Sequence, residues 1–320
     1  MSDDTPTPAN EAVRLTVRKA IPEARDRLQS RMLVWVAVPV LCYLTVWMTR
    51  YILVAGSRGR TYFFSAFTLS LFFALAAWRV GAATPLAAAF GGLICLQITV
   101  LSGWLEGGSP FHSGLAPLIL LFALTFEATR LGREKKEAAG LAEDRTGRNS
   151  AQIIANLGIA AASSAFYYYS NMGRLPHSWQ GPFILAVFEV PMLAALAEAT
   201  ADTVSSEIGQ TFGGRPFLFP TFRRVQPGTD GAISVVGTLG GILSAVLVVA
   251  SGAPALGMDF DGCAVALGAA ILGLSFDTLL GATPERKGWI NNDLVNFLST
   301  AFAVVACILI MDYFHYWTFA

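Results

Sequence analysis

Apolar residues in this chain fall into nine long runs, near 32–50, 61–78, 82–104, 111–128, 150–170, 181–202, 232–252, 261–283 and 293–315. Each approaches the ~20 residues that an α-helix needs to cross the hydrocarbon layer of a bilayer. The fifth run opens on polar residues and rests on its apolar, aromatic tail from Ala160 to Tyr169. Charged residues make up 14% of the chain, against the roughly 25% of a soluble domain. That is too little to clothe a water-facing surface, so a soluble enzyme and a disordered chain are excluded. The formal net charge is zero, so no global field draws in nucleic acid. The expected fold is all-α, a polytopic transmembrane bundle of about nine spanning helices.

The chain then divides into an N-terminal segment (1–31), helices one to four (32–128), a charged loop (129–149) and helices five to nine (150–320). Glu11 to Ser30 reads as an interfacial helix interrupted at Pro22, with no apolar core or cleavage site of a secretory signal. The charged loop reads as a solvated helix followed by a turn at Gly147. Cys42, Cys95, Cys263 and Cys307 all lie in apolar runs without a CxxC pair, which suits buried apolar residues better than metal ligands or disulfides.

Lys and Arg in the connections give the orientation. The N-terminal tail and alternate loops on its side carry eighteen, while Arg50, Arg58, Arg60 and Arg174 are the four on the other side. The N-terminus is therefore expected in the cytoplasm. All three histidines, His112, His177 and His315, fall on the opposite face.

Ionisable residues in or beside membrane spans are costly and mark functional sites, and here three groups gather at the cytoplasmic face. In the first, Glu198 and Asp202 are four apart and share a helix face. Two such carboxylates repel unless a cation or proton lies between them. Glu207 joins them only if the helix breaks near Ser205. A hard cation such as Mg²⁺ takes one or two carboxylates and fills its shell with phosphate oxygens. The second group is the loop 213–234, with Arg215, Arg223 and Arg224 as charge-assisted donors to phosphate. Its "PGTDG" turn brings Gly228, Thr229 and Gly231 to a helix start at Ser234, where backbone N–H groups suit an anion. No GxxxxGK[ST] is present, so this is not a P-loop. The third group places Asp277 inside an apolar run and Asn292 and Asn296 on one face. Asn291, Asn292 or Asp293 caps the last helix, which leaves Asn292 or Asn296 for a ligand. The "GTLGGILSA" stretch, 237–245, reads as a close helix-packing surface.

Five segments carry a resemblance: "GRNSAQIIAN" (147–156), "ADTVSSEIG" (201–209), "PGTDGAISVVGT" (227–238), "GLSFDTLLGAT" (273–283) and "NNDLVNF" (291–297). In this order and spacing they resemble the integral membrane family that includes plant chloroplast phytyl-phosphate kinase, the isoprenoid-phosphate kinases. The resemblance covers the second half of the chain. It implies transfer of a terminal phosphate from a nucleotide, CTP above all, to an isoprenoid monophosphate at the cytoplasmic face. It assigns Asp202, Glu207 and Asp277 to catalysis and Mg²⁺, and brings Asn156 and Ser206 in as further contacts. Glu198 lies outside its pattern. A phosphate acceptor with a second pKa near ~6 is already a nucleophile at neutral pH, so no histidine base is required. Two other readings stay open: a nucleotidyl transferase forming a CDP-lipid, and a small-solute transporter with polar residues near mid-membrane.

The basic-residue split predicts that a membrane-impermeant label reaches a cysteine at Lys287 only from the cytoplasmic side, and one at His177 only from outside. Labelling of position 287 from outside would remove the one-face argument.

Overall fold

The computed structural model describes residues 21–103, 109–142, 146–169 and 183–314. Arg14, Arg18, Lys19, Arg145, Arg174, His177 and His315 lie outside the described residues. The helices are α1 (Glu23–Val54), α2 (Ser57–Arg79), α3 (Pro85–Gly103), α4 (Leu115–Arg130), a short α5 (Arg133–Ala138), α6 (Ser150–Tyr169), α7 (Phe183–Phe212), α8 (Val235–Ala255), α9 (Phe260–Leu280) and α10 (Asn292–Tyr313). A single π-helical turn, Gly281–Glu285, extends α9. Six of these helices are long and apolar enough to cross a membrane: α1, α2, α3, α8, α9 with its extension, and α10. Large apolar side chains such as Trp35, Val36, Phe72, Leu239 and Phe260 point outward. Water would not tolerate such a surface at this density, and hydrocarbon does. The chain is a polytopic helical membrane protein.

Helix α7 is the axis of the bundle. Every residue from Glu189 to Ala201 is buried, and α4, α6, α8, α9 and α10 all pack against it. Helices α1 and α2 form an outer layer, joined to the rest largely through α6 and the buried α3. The sequence placed the end of this span at Asp202, where hydropathy falls. The helix instead runs unbroken through Ser205 to Phe212, because its polar residues face protein partners and a cavity rather than lipid.

The approach of α8 to α7 depends on glycine. A Cβ on Gly241 would lie 2.7 Å from the Ala201 carbonyl oxygen and 2.8 Å from Ser205 Cβ, and one on Gly237 would lie 2.5 Å from the Ser205 carbonyl oxygen. The small-residue stripe is thus a packing surface between helix backbones. Between α7 and α8 the chain forms a three-stranded antiparallel sheet of two-residue strands: β1 (Phe217–Leu218) in the centre, β2 (Arg223–Arg224) and β3 (Ala232–Ile233) beside it. This sheet is invisible to hydropathy patterning, since strands this short carry no period.

Glu11 to Ala20 of the expected interfacial helix lie outside the described residues, and α1 starts directly after Pro22, which sits at its N-cap. Glu23 to Arg31 are therefore the first turns of a spanning helix, not a separate interfacial one. Asn291 caps α10 by accepting from the Leu294 N–H at 3.0 Å. Its amide donates to Asp26 Oδ1 and Ser30 Oγ, both at 2.9 Å, tying α10 to α1.

Gly241→Leu should destabilise the protein by ~1–3 kcal/mol through overpacking, read as a lower Tm in detergent. Gly268→Ala, where a new Cβ meets nothing within 4 Å, should leave Tm unchanged. Equal loss in both variants would contradict this packing.

Candidate active site

A cavity of about 420 Å³ opens beside the polar end of α7 and collects the motif residues. Asp202 and Glu207 reach it from α7, Asp277 from α9, and Asn292 and Asn296 from α10. Gly228, Thr229, Gly231 and Ser234 come from the loop before α8, Asn156 from α6, and Ser206 from the rim of α7. The loop is held down by backbone contact. Gly231 has φ +71°, and a Cβ there would collide with the Ala282 backbone, while one on Gly281 would lie 2.8 Å from the Gly231 nitrogen. The "PGTDG" turn thereby closes onto the π-helical end of α9, a distortion often found at functional sites.

Asp202 and Asp277 are electrostatic neighbours across α7 and α9, two carboxylates that repel when both are ionised. Asp277 Oδ2 is buried with no hydrogen-bond partner. Glu198 sits one turn deeper, over Gly273 and next to Ser299, outside the cavity lining. Neither of its carboxyl oxygens has a hydrogen-bond partner. Asn156 Oδ1 is likewise unpartnered, while its Nδ2 donates to the Gln152 carbonyl at 2.8 Å.

Glu207 departs from the expectation. Because α7 does not break at Ser205, its carboxylate points to the charged linker and accepts from Lys136 Nζ at 2.5 Å. Lys136 also donates to the carbonyls of Ala128 and Thr129 at 3.2 and 2.7 Å and is fully buried. The linker helix α5 is thus docked by an ion pair, not solvated all round. Ser234 is the N-cap of α8, accepting from the Gly237 N–H at 3.1 Å, so its oxygen serves the helix first.

The three loop arginines also lie elsewhere. Arg215, Arg223 and Arg224 are exposed and line no part of the cavity. Arg224 instead stacks over the Phe217 ring at 4.7 Å, on the sheet. The one guanidinium in the cavity wall, among the described residues, is Arg148. Its backbone is fixed by a parallel bridge to Ala83, with N–H to the Ala82 carbonyl and its own carbonyl to the Thr84 N–H, both at 3.0 Å. Its side chain reaches Thr203 at 3.4 Å and interacts electrostatically with Asp202. Sequence reasoning quoted its segment, 147–156, but passed over Arg148, which looked like one more topology arginine. It also missed Asp230 and Glu285, both in the lining, since neither stands in an apolar run.

The lining therefore holds Asp202, Glu207, Asp230, Asp277 and Glu285 against Arg148, with Lys136 engaged behind Glu207. Such an acid excess repels a bare polyphosphate and accepts one that brings cations. Mg²⁺ fits the Asp202–Asp277 pair, which offers hard oxygens, one of them orphaned. Among the described residues no three His, Cys, Asp or Glu side chains form a metal cage. That is the usual situation for Mg²⁺, which keeps water and substrate oxygens in its shell. No histidine lines the cavity among the described residues.

A helical bundle with an acid-rich cavity at the polar end of its central helix defines the class as an integral membrane protein with a polar site at one end. The chain belongs to the integral membrane protein DUF92 family, which matches residues 68–304. It is 35% identical over 209 residues to the uncharacterized membrane protein MJ0933 of Methanocaldococcus jannaschii, covering 62% of this chain and 78% of that one. It is 30% identical over 188 residues to the uncharacterized membrane protein sll0875 of Synechocystis sp., covering 58% and 69%. The chloroplastic protein VTE6 of Arabidopsis thaliana is 29% identical over 213 residues, covering 66% of this chain and 61% of its own length. No solved structure matches the chain.

Lys136→Met should leave Glu207 buried and unpaired, at a cost of ~3–5 kcal/mol. Lys136→Met with Glu207→Leu should recover most of the lost Tm. A double variant no more stable than the single one would show that the pair is not what docks the linker.

Proposed function

We propose that the protein is a membrane kinase that transfers the terminal phosphate of a nucleoside triphosphate, CTP in the first instance, to an isoprenoid monophosphate. The observation that carries this reading is the Asp202–Asp277 pair, with its orphaned oxygen, facing Arg148 across a cavity built from the five motif segments. The resemblance of those segments to isoprenoid-phosphate kinases and the match to chloroplastic VTE6 support it. In this reading the cavity lies on the cytoplasmic side, as the basic-residue split predicts.

Phosphoryl transfer needs positioning and charge neutralisation more than covalent help from the protein. Asp202 and Asp277 would hold Mg²⁺, which supplies charge neutralisation at the phosphate oxygens when bound. The N–H groups of the Gly228–Gly231 turn cradle the nucleotide phosphates, and Asn292 and Asn296 offer amide groups from the facing helix. Arg148 holds the acceptor phosphate against the donor. An oxygen of the acceptor dianion attacks the terminal phosphorus and forms the new P–O bond. The bridging P–O bond breaks, and its electron pair leaves with the nucleoside diphosphate. No proton has to be removed.

Purified protein with Mg²⁺ should convert a prenyl monophosphate to the diphosphate and hardly touch the matching alcohol, which needs a strong base. The rate should rise to a plateau as pH passes ~6, following the acceptor's second ionisation. Asp202→Asn and Asp277→Asn should each lower the rate by ~10³-fold or more while the fold persists, as loss of a cation ligand does. Comparable rates with the alcohol, or release of pyrophosphate in place of nucleoside diphosphate, would overturn the reading.

A further inference from the structure

A second and larger cavity, about 890 Å³, lies against the first. Its walls are apolar: Phe73 of α2, Ala87, Ala88 and Gly91 of α3, Leu118, Leu121 and Phe122 of α4, and Leu157 of α6. The volume falls within the ~300–1,000 Å³ of ligand-binding cavities. Its width comes from small residues on α3, where longer side chains would fill the space. Gly91 shows this directly, since it is buried and yet a Cβ built on it meets nothing within 4 Å. The chamber is not uniformly apolar. One end carries charge of both signs: Arg133 is paired with Glu137 at 2.9 Å, Glu134 stands beside them, and Arg130 lies over the Phe126 ring. That leaves Arg148 as the guanidinium nearest the acid cavity, which it and Asn156 also line. The two spaces share a wall at those two residues.

We infer that this chamber holds the hydrocarbon chain of the phosphate acceptor, with the acceptor's phosphate at Arg148, where chamber and acid cavity meet. The inference rests on the kinase reading for the identity of the acceptor and on geometry for its position. An amphiphile with an anionic head and a long apolar tail matches the chamber end for end. Its tail gains from leaving water, at about 25 cal/mol for each Å² buried, and its head gains a charge-assisted bond from a guanidinium. The Arg148 backbone is fixed to the α2–α3 turn on one side, and its side chain interacts with Asp202 on the other. That places the head where the donor phosphates arrive. The unpartnered Asn156 Oδ1, buried at the same wall, can accept from a water that enters with the substrate, since the phosphate dianion has no donor to offer it. Gly91 in this arrangement is a positioning residue that sets how long a chain fits.

Two measurements test it on the full-length protein in detergent. Gly91→Leu should raise KM for a C20 prenyl monophosphate by ~10-fold or more, because a Leu side chain takes up space the tail needs. KM for the C5 monophosphate should rise far less, and CTP binding should persist as the control that the protein is folded. Unchanged handling of the C20 substrate would overturn the chamber while leaving the kinase reading intact. Separately, a farnesyl monophosphate with a terminal diazirine should cross-link to peptides of α3 or α4. Labelling should fall in Gly91→Leu and, for the monophosphate but not the farnesol analogue, in Arg148→Gln. Cross-linking to α8 or α10 instead would overturn the chamber. So would competition by dioleoyl phosphatidic acid as effective as by farnesyl monophosphate, since that marks a structural lipid site. Cross-linking in the chamber with no turnover of any nucleotide would overturn the kinase reading and keep the chamber.

Discussion

A helix that carries Glu189, Glu198, Asp202 and Glu207 cannot face hydrocarbon, where each ionisable group costs ~2.5–3.5 kcal/mol or more. Burial in protein is the alternative, and it dictates the rest of the bundle. Helices α4, α6, α8, α9 and α10 surround α7, and the glycines of α8 let backbones approach until no side chain fits between them. The lipid-facing work passes to the outer faces of α1, α2, α8 and α9, where large apolar residues stand exposed. Enclosing the polar end of α7 then creates the acid cavity, because five carboxylates cannot pack against one another without a space for counter-charge.

The charge pattern divides that polar end into two parts with different uses. Glu207 is compensated internally by Lys136, which fixes the linker helix onto α7. Asp202 and Asp277 face each other with an oxygen to spare. A buried acid without an internal partner is costly, so it persists where an outside partner pays it back. The contrast separates the pair that holds the fold from the pair that the proposed function assigns to a cation.

The two cavities, joined at Arg148 and Asn156, suit a reaction between a water-soluble and a membrane-borne substrate. One space is polar and lies where α7, α9 and the loop before α8 meet. The other is apolar and lies among α2, α3, α4 and α6. A transporter reading places its polar site near mid-membrane within broken helices. Here α7 is continuous, and the polar cluster sits toward one end of it.

Hydropathy alone reveals the membrane class and where long helices lie, because apolar runs of ~20 residues are a strong signal; it misses the start of α1 at Glu23 and the end of α7 at Phe212, and six of the helices are long and apolar enough to span. It also placed Asp202, Asp277, Gly231, Asn292 and Asn296 among the candidates, since polar groups beside apolar runs stand out without any tertiary knowledge. Which of them share a cavity depends on how the helices pack. Glu207 went to Lys136, a partner 71 positions earlier in the chain, and no local spacing announces such a pair. Arg215, Arg223 and Arg224 looked like phosphate ligands by type and clustering, yet a short sheet turns them to the surface. Arg148 looked like a topology signal, yet the parallel bridge to Ala83 carries it to the wall between both cavities. Charge and hydropathy are properties of each residue, whereas direction is set by what the backbone packs against, and that is long-range.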